Sequence, residues 1–143
     1  MRSLSLVLLF VAVLMLLGCG RSGSLETAPV TGVVNYNGQP LKFGTVSFRP
    51  AAGSPATGTI QSDGTFTLST YGNGDGAIIG MNEVLVTATD RDAGTAGEVA
   101  ENTEMTAPKM LIPQKYTSFS TSELTADVVA GKTNTFTFDL KDQ

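Results

Sequence analysis

The 143-residue chain has no histidine and no tryptophan, and only one cysteine, Cys19. Without histidine it lacks the commonest general base and metal ligand, so a triad-type nucleophilic site has no natural base. Without tryptophan it lacks the strongest side chain for stacking a sugar ring. One cysteine permits no intramolecular disulfide. Charge is sparse: nine Lys and Arg stand against thirteen Asp and Glu, for a net charge of −4. The basic residues are scattered, whereas phosphate binding needs a clustered cationic footprint. Nucleic acid is therefore not an expected partner.

What is present begins with an apolar run. Leu4 to Leu17 holds almost only Leu, Val, Ala, Phe and Met, interrupted by Ser5, with Arg2 before it and Gly18, Cys19 and Gly20 after it. A basic start, an apolar middle and a small-residue end form the layout of a secretory signal peptide. A bilayer-spanning helix needs roughly 20 apolar residues, and Gly18, Gly20 and Arg21 close this run short of that. No Ala-x-Ala cleavage pattern is evident. Leu16-Leu17-Gly18-Cys19 instead resembles the bacterial lipobox. The resemblance implies a diacylglyceryl thioether on Cys19, cleavage after Gly18 and an acylated new N-terminus. Lipid chains contribute about 0.8 kcal/mol per buried CH₂, and two or three chains hold where one is marginal. An uncleaved membrane helix and an incidental free cysteine are the alternatives.

Residues 1–18 are thus expected to be a lipoprotein signal peptide. Residues 19–28, small and polar, are expected to be the lipidated cysteine and a flexible tether. Residues 29–143 are enough for one domain. The expected location is the cell envelope, with the exported chain held by its lipid at the periplasmic face or the outer membrane. Gly20, rather than Asp, after the cysteine favours the outer membrane under the sorting pattern of such lipoproteins.

The rest of the chain alternates apolar and polar residues in short runs separated by turn residues. Val30 to Tyr36, Thr45 to Arg49, Ala56 to Gln61, Thr65 to Ser69, the segment around Val84, Val86 and Ala88, Leu124 to Val128, and Phe136 to Leu140 read as seven strands. Asn37-Gly38 is a hairpin-turn pair, because both residues tolerate positive φ. Seven strands with little helix predict an all-β, antiparallel β-sandwich. Its expected core is Val46, Phe48, Phe66, Leu68, Val84, Val86, Phe136, Phe138 and Leu140. Arg91 to Ile112 is the least regular stretch, with a weak helical turn over 98–105. A connection of that length is usually functional or mobile.

Val30-Thr31-Gly32-Val33-Val34, Asn37-Gly38-Gln39-Pro40-Leu41, Gly44-Thr45-Val46-Ser47-Phe48 and Asp63-Gly64-Thr65-Phe66-Thr67-Leu68 occur in that order. The set is similar to the carboxypeptidase regulatory-like, transthyretin-like domains. Gly80 before Val84 and Val86 resembles a further strand of that family, although Asn82 stands where an aromatic is usual. Ile112 to Tyr116 and the Thr121 to Leu124 segment look like short lipoproteins of planctomycete-type bacteria. The resemblance implies a seven-stranded Greek-key sandwich of the transthyretin (prealbumin) type. Hydroxyisourate hydrolases of that fold rely on histidines and a characteristic C-terminal tetrapeptide. This chain has neither, ending Leu140-Lys141-Asp142-Gln143. The peptidase in the family's name is a separate domain.

The chain is accordingly expected to be non-enzymatic, with no cofactor and no metal. Ser–Lys pairs such as Ser118 with Lys115 can be drawn on almost any chain and single out no nucleophile. Asp90 with Asp92, and Asn73 with Asp75, are the best carboxylate groupings, but neither completes a calcium loop, and turn formation explains both. Tyr71 and Tyr116 border the loops and offer stacking faces for a sugar or peptide. Tyr71, Asp75, Asp90, Asp92 and Tyr116 are therefore the candidate ligand-loop residues. Glu98, Glu101 and Glu104 read as solvated surface. The expected role is a binding or assembly module in the envelope, with an envelope protein as partner. The alternative is a carbohydrate-binding module for envelope polysaccharide.

Overall fold

The computed structural model describes residues 23–92 and 108–142. The signal segment, Cys19 and the helical turn expected over 98–105 lie outside the described residues. Within them the chain forms ten strands: β1 (Thr27–Ala28), β2 (Val30–Tyr36), β3 (Gln39–Pro40), β4 (Thr45–Pro50), β5 (Ala56–Thr59), β6 (Thr65–Thr67), β7 (Ala77–Ile78), β8 (Gly80–Thr87), β9 (Leu124–Val128) and β10 (Asn134–Leu140). A short 3-10 helix, Gln114–Thr117, precedes β9. Among the described residues no helix is long and apolar enough to cross a membrane.

The architecture is all-β. One four-stranded sheet runs β5-β4-β8-β9, with every pair antiparallel. A second four-stranded sheet is built on β2, which pairs with β10 on one side and with β3 and β6 on the other, and β1 and β7 form a small two-stranded sheet. The two four-stranded sheets pack face to face in the manner of a sandwich. They are joined along one edge, where Thr57 and Ser69 exchange backbone hydrogen bonds of 3.0 and 2.9 Å.

Alternation does the folding work. Val30 and Val34 on β2, Val46 and Phe48 on β4, and Val84 and Val86 on β8 are fully buried, while the alternate residues Thr31, Val33, Ser47 and Leu85 are partly exposed. Each buried side chain contributes about 1.5–3 kcal/mol by leaving water. Phe48 meets Phe136 and Phe138 across the layers at 5.8 and 6.0 Å, and Phe138 stacks on Phe66 at 6.2 Å. Gly32 leaves the room for this cluster, since a Cβ there would lie 2.6 Å from the tip of Phe66 and 2.3 Å from the Phe136 carbonyl. Asn37 and Gly38, at φ 49° and 79°, make the expected tight turn.

Three expectations are corrected. The sandwich is not antiparallel throughout, because β10 runs parallel to β2 from Asn134↔Val30 to Leu140↔Tyr36. A parallel neighbour needs a long crossover, and here the connection is the rest of the domain. Thr27 and Ala28, expected to be the end of a flexible tether, belong to the domain instead, because they pair with Ile78 and Ala77 and Ala28 is buried. Phe136, placed in the core by its alternation, is only half-buried and packs against the cluster's rim.

Candidate functional site

The strands run so that the loops fall at two ends. One end carries residues 23–29, the β4–β5 loop, the Ser69–Gly76 loop and the β9–β10 turn. The other carries the Asn37-Gly38 turn, the β5–β6 turn, Thr89 to Asp92, residues 108–116 and Lys141 to Asp142.

At the first end, Tyr71 and Asp75 belong to a glycine-rich loop that Asp75 organises. Its carboxylate accepts the backbone N–H groups of Thr70 (2.8 Å), Tyr71 (2.9 Å) and Gly72 (3.2 Å). Thr70 Oγ1 donates to the Gly76 carbonyl, and Ser69 Oγ accepts from Gly74 N, each at 2.8 Å. Partial desolvation pushes the Asp75 carboxyl up, but the N–H groups outweigh it and hold the acid below its ordinary value. The Tyr71 hydroxyl accepts from Leu25 N at 3.1 Å, while the side chain remains 48% exposed.

At the opposite end, Asp92 accepts from the N and Oγ1 of its neighbour Thr89, both at 2.8 Å. Asp90 accepts from Lys109 N at 3.1 Å and donates its own N–H to the Lys109 carbonyl, also at 3.1 Å. These contacts close the chain back onto itself beside the Thr89↔Met110 bridge. Tyr116 is in the core, only 7% exposed, with its hydroxyl tied to the backbone of Lys141. Its stacking face is covered. Lys115 Nζ lies 4.8 Å from the centre of the Tyr116 ring, and Ser118 Oγ pairs with Ser120 Oγ at 2.9 Å, so the structure shows no Ser118–Lys115 hydrogen bond.

The five candidate residues therefore do not form one site. Tyr71 and Asp75 sit at one end, Asp90, Asp92 and Tyr116 at the other, and the carboxylates accept hydrogen bonds that shape their own loops. Among the described residues no group of three or more Asp, Glu, His or Cys could hold a metal. An open concavity of about 450 Å³ over Thr45, Thr57, Thr59, Thr67 and Ser69 presents hydroxyls and no charged group.

Two further features escaped the sequence reading. Asn82 is fully buried. Its Nδ2 donates to the carbonyls of Ile78 and Gly80, both at 2.9 Å, and holds the bend between β7 and β8. Its Oδ1 is buried without a partner, a cost of about 1–3 kcal/mol. The second is the set of exposed apolar side chains Leu25, Met81 and Val129. Val129 directly follows the buried Val128, which breaks the alternation, and was the one legible signal. Compared with protein-family models, curated proteins and solved structures, the chain matches none.

The carboxylates give the fold an acid limit. Asp63 is held below its ordinary value by hydrogen bonds from the Thr65 hydroxyl and backbone. Asp142 is lowered by hydrogen bonds from the Tyr36 hydroxyl and the Asn37 side chain, and the same contact raises Tyr36. A folded acid below its unfolded value stabilises fully above the unfolded value and loses that contribution as pH falls through the folded one. Thermal stability is therefore expected to hold from neutral pH down to about 5 and to decline below about 4. In Asp75→Asn, stability at pH 7 drops and the acid decline becomes shallower. A decline of unchanged steepness, measured by calorimetry across pH, removes Asp75 from this account.

Proposed function

We propose that this chain is an exported, lipid-anchored envelope protein whose β domain serves binding or assembly and carries no catalytic machinery. One observation carries the reading: Leu16-Leu17-Gly18-Cys19 ends an apolar run of signal-peptide length, a few residues ahead of a β domain whose first strand starts at Thr27. The lone cysteine of a chain that can make no internal disulfide then has a use. We read the domain as a transthyretin-like Greek-key sandwich of the carboxypeptidase regulatory-like kind. The motif order from Val30 to Leu68 supports this, as do the strands and turns on which those motifs fall. The edge of β10, seven residues long and paired on one side only among the described residues, is the natural place for another β element to add. A polysaccharide-binding role would rest on Tyr71, the most exposed of the three tyrosines.

Mass spectrometry of the native N-terminus should find Cys19 first and acylated. Cys19→Ser is expected to prevent lipid attachment and move the protein from the membrane pellet to the soluble fraction after a high-salt wash. Persistence of that variant in the washed membranes overturns the lipid-anchor reading.

A further inference from the structure

The end of the sandwich that carries Leu25 differs from the opposite end in its surface. Among the described residues five large apolar side chains are exposed: Leu25 (44%), Tyr71 (48%), Met81 (60%), Val129 (44%) and Met110 (36%). Four of them lie at or beside the Leu25 end. Leu25 N is bonded to the Tyr71 hydroxyl. Val129 opens the turn leading to Asn134, whose N–H donates to Pro29. Met81 sits at the start of β8, next to Gly80↔Val128. Only Met110 lies at the other end, bridged to Thr89.

The charges of this end permit contact with an apolar medium. Residues 51–55 and 70–76 contain no Lys or Arg, and their one acid, Asp75, is satisfied by three backbone N–H groups. Glu26, Asp127 and Lys132 stand around the patch, where their side chains can stay in water or among headgroups. Tyr71 has the amphipathic character that places aromatic rings at membrane interfaces.

Chain length then decides what covers the patch. Leu25 follows Cys19 by six residues, which span at most about 21 Å however they are arranged. A domain of this size has a radius of gyration of about 13 Å and is roughly 35 Å across. The leash is shorter than the body it holds. It ends at the patch, because Leu25 N and the Glu26 carbonyl are both bonded to the domain.

We propose that, in the anchored protein, this end rests on the lipid surface with Leu25, Tyr71 and Val129 among the headgroups. The domain thereby keeps one orientation, and its opposite end, with Asp90 and the Asn37-Gly38 turn, faces away from the membrane. The inference rests on the lipid-anchor reading of Cys19. The lipid chains supply the affinity, and the patch supplies the orientation.

The chain has no tryptophan, so each introduced indole reports its own surroundings. Tyr71→Trp, Val129→Trp and Met110→Trp are made separately in the full-length lipidated protein. Each is reconstituted into phosphatidylcholine vesicles containing lipids brominated near the headgroup. The first two are expected to show blue-shifted emission and several-fold stronger quenching than Met110→Trp, with no dependence on salt. Weak or equal quenching at all three positions, in protein whose mass shows an acylated Cys19, overturns the orientation and leaves the anchor standing. A mass showing unmodified Cys19 overturns both. Having two probes on the patch keeps the test decisive if one of them perturbs its loop.

Discussion

Phe48→Ala is expected to cost about 3–5 kcal/mol, the range for deleting a buried aromatic ring. Phe48 is fully buried on β4, a strand paired on both sides, by β5 and β8. Its ring is the contact between the sheets, meeting Phe136 at 5.8 Å and Phe138 at 6.0 Å. Aromatic pairs of this geometry add about 0.5–1.5 kcal/mol beyond the area they bury. Neither neighbour can collapse into the space, because Phe138 is stacked on Phe66 and Phe136 is held by its register with Gly32. A domain of this size has only about 5–15 kcal/mol of net stability, so the variant should sit near its folding threshold. Chemical denaturation is expected to show a midpoint shifted strongly downward at an unchanged slope. A loss below about 1 kcal/mol would mean the cluster is not the centre of the core.

Gly76→Ala is expected to be comparably damaging for a different reason. Gly76 has φ +87°, where a Cβ is strained by about 1–2 kcal/mol. The larger obstacle is space, since that Cβ would lie 1.8 Å from the Ala28 carbonyl oxygen. Backbone has to move. Gly76 N also donates to the Leu68 carbonyl at 3.0 Å, and its own carbonyl accepts from Thr70. The substitution should therefore push β1 off β7 and loosen the Asp75 loop together, for a total of about 3 kcal/mol or more. Hydrogen exchange locates the effect, because Ile79 N–H, which donates to the Glu26 carbonyl, should lose protection first. Gly72→Ala is the control. It sits in the same loop with nothing within 4 Å of its added Cβ and is expected to change stability by no more than about 0.5 kcal/mol. Equal losses in the two variants would remove the steric argument.

The strands were largely legible because their signal is local. Val46-Ser47-Phe48 and Thr65-Phe66-Thr67 carry their inside and outside in successive letters, and Asn37-Gly38 carries its turn in two. β1 was not legible, because Thr27 and Ala28 have no alternation of their own and form a strand only by pairing with β7. Tyr116 was placed at a loop rim for a similar reason. The turn around it has no period, and its hydroxyl is tied to the backbone of Lys141, 25 residues further on. The candidate loops share this difficulty: each reads as a loop, but nothing in their order shows that Tyr71 and Asp90 lie at opposite ends.

The amino-acid order by itself determined the class of the domain and the position of most strands, because a strand's two faces are written into every second residue. It also supplied the lipobox-like quartet, which needs no fold to be read. Only the tertiary structure decided that β10 lies parallel to β2, that Leu25 is tied to the domain, and that four of the five exposed large apolar side chains among the described residues lie at or beside one end. Those features depend on contacts between residues far apart in the chain. Such contacts are selected by the burial of whole faces against one another, a property that no short stretch possesses alone.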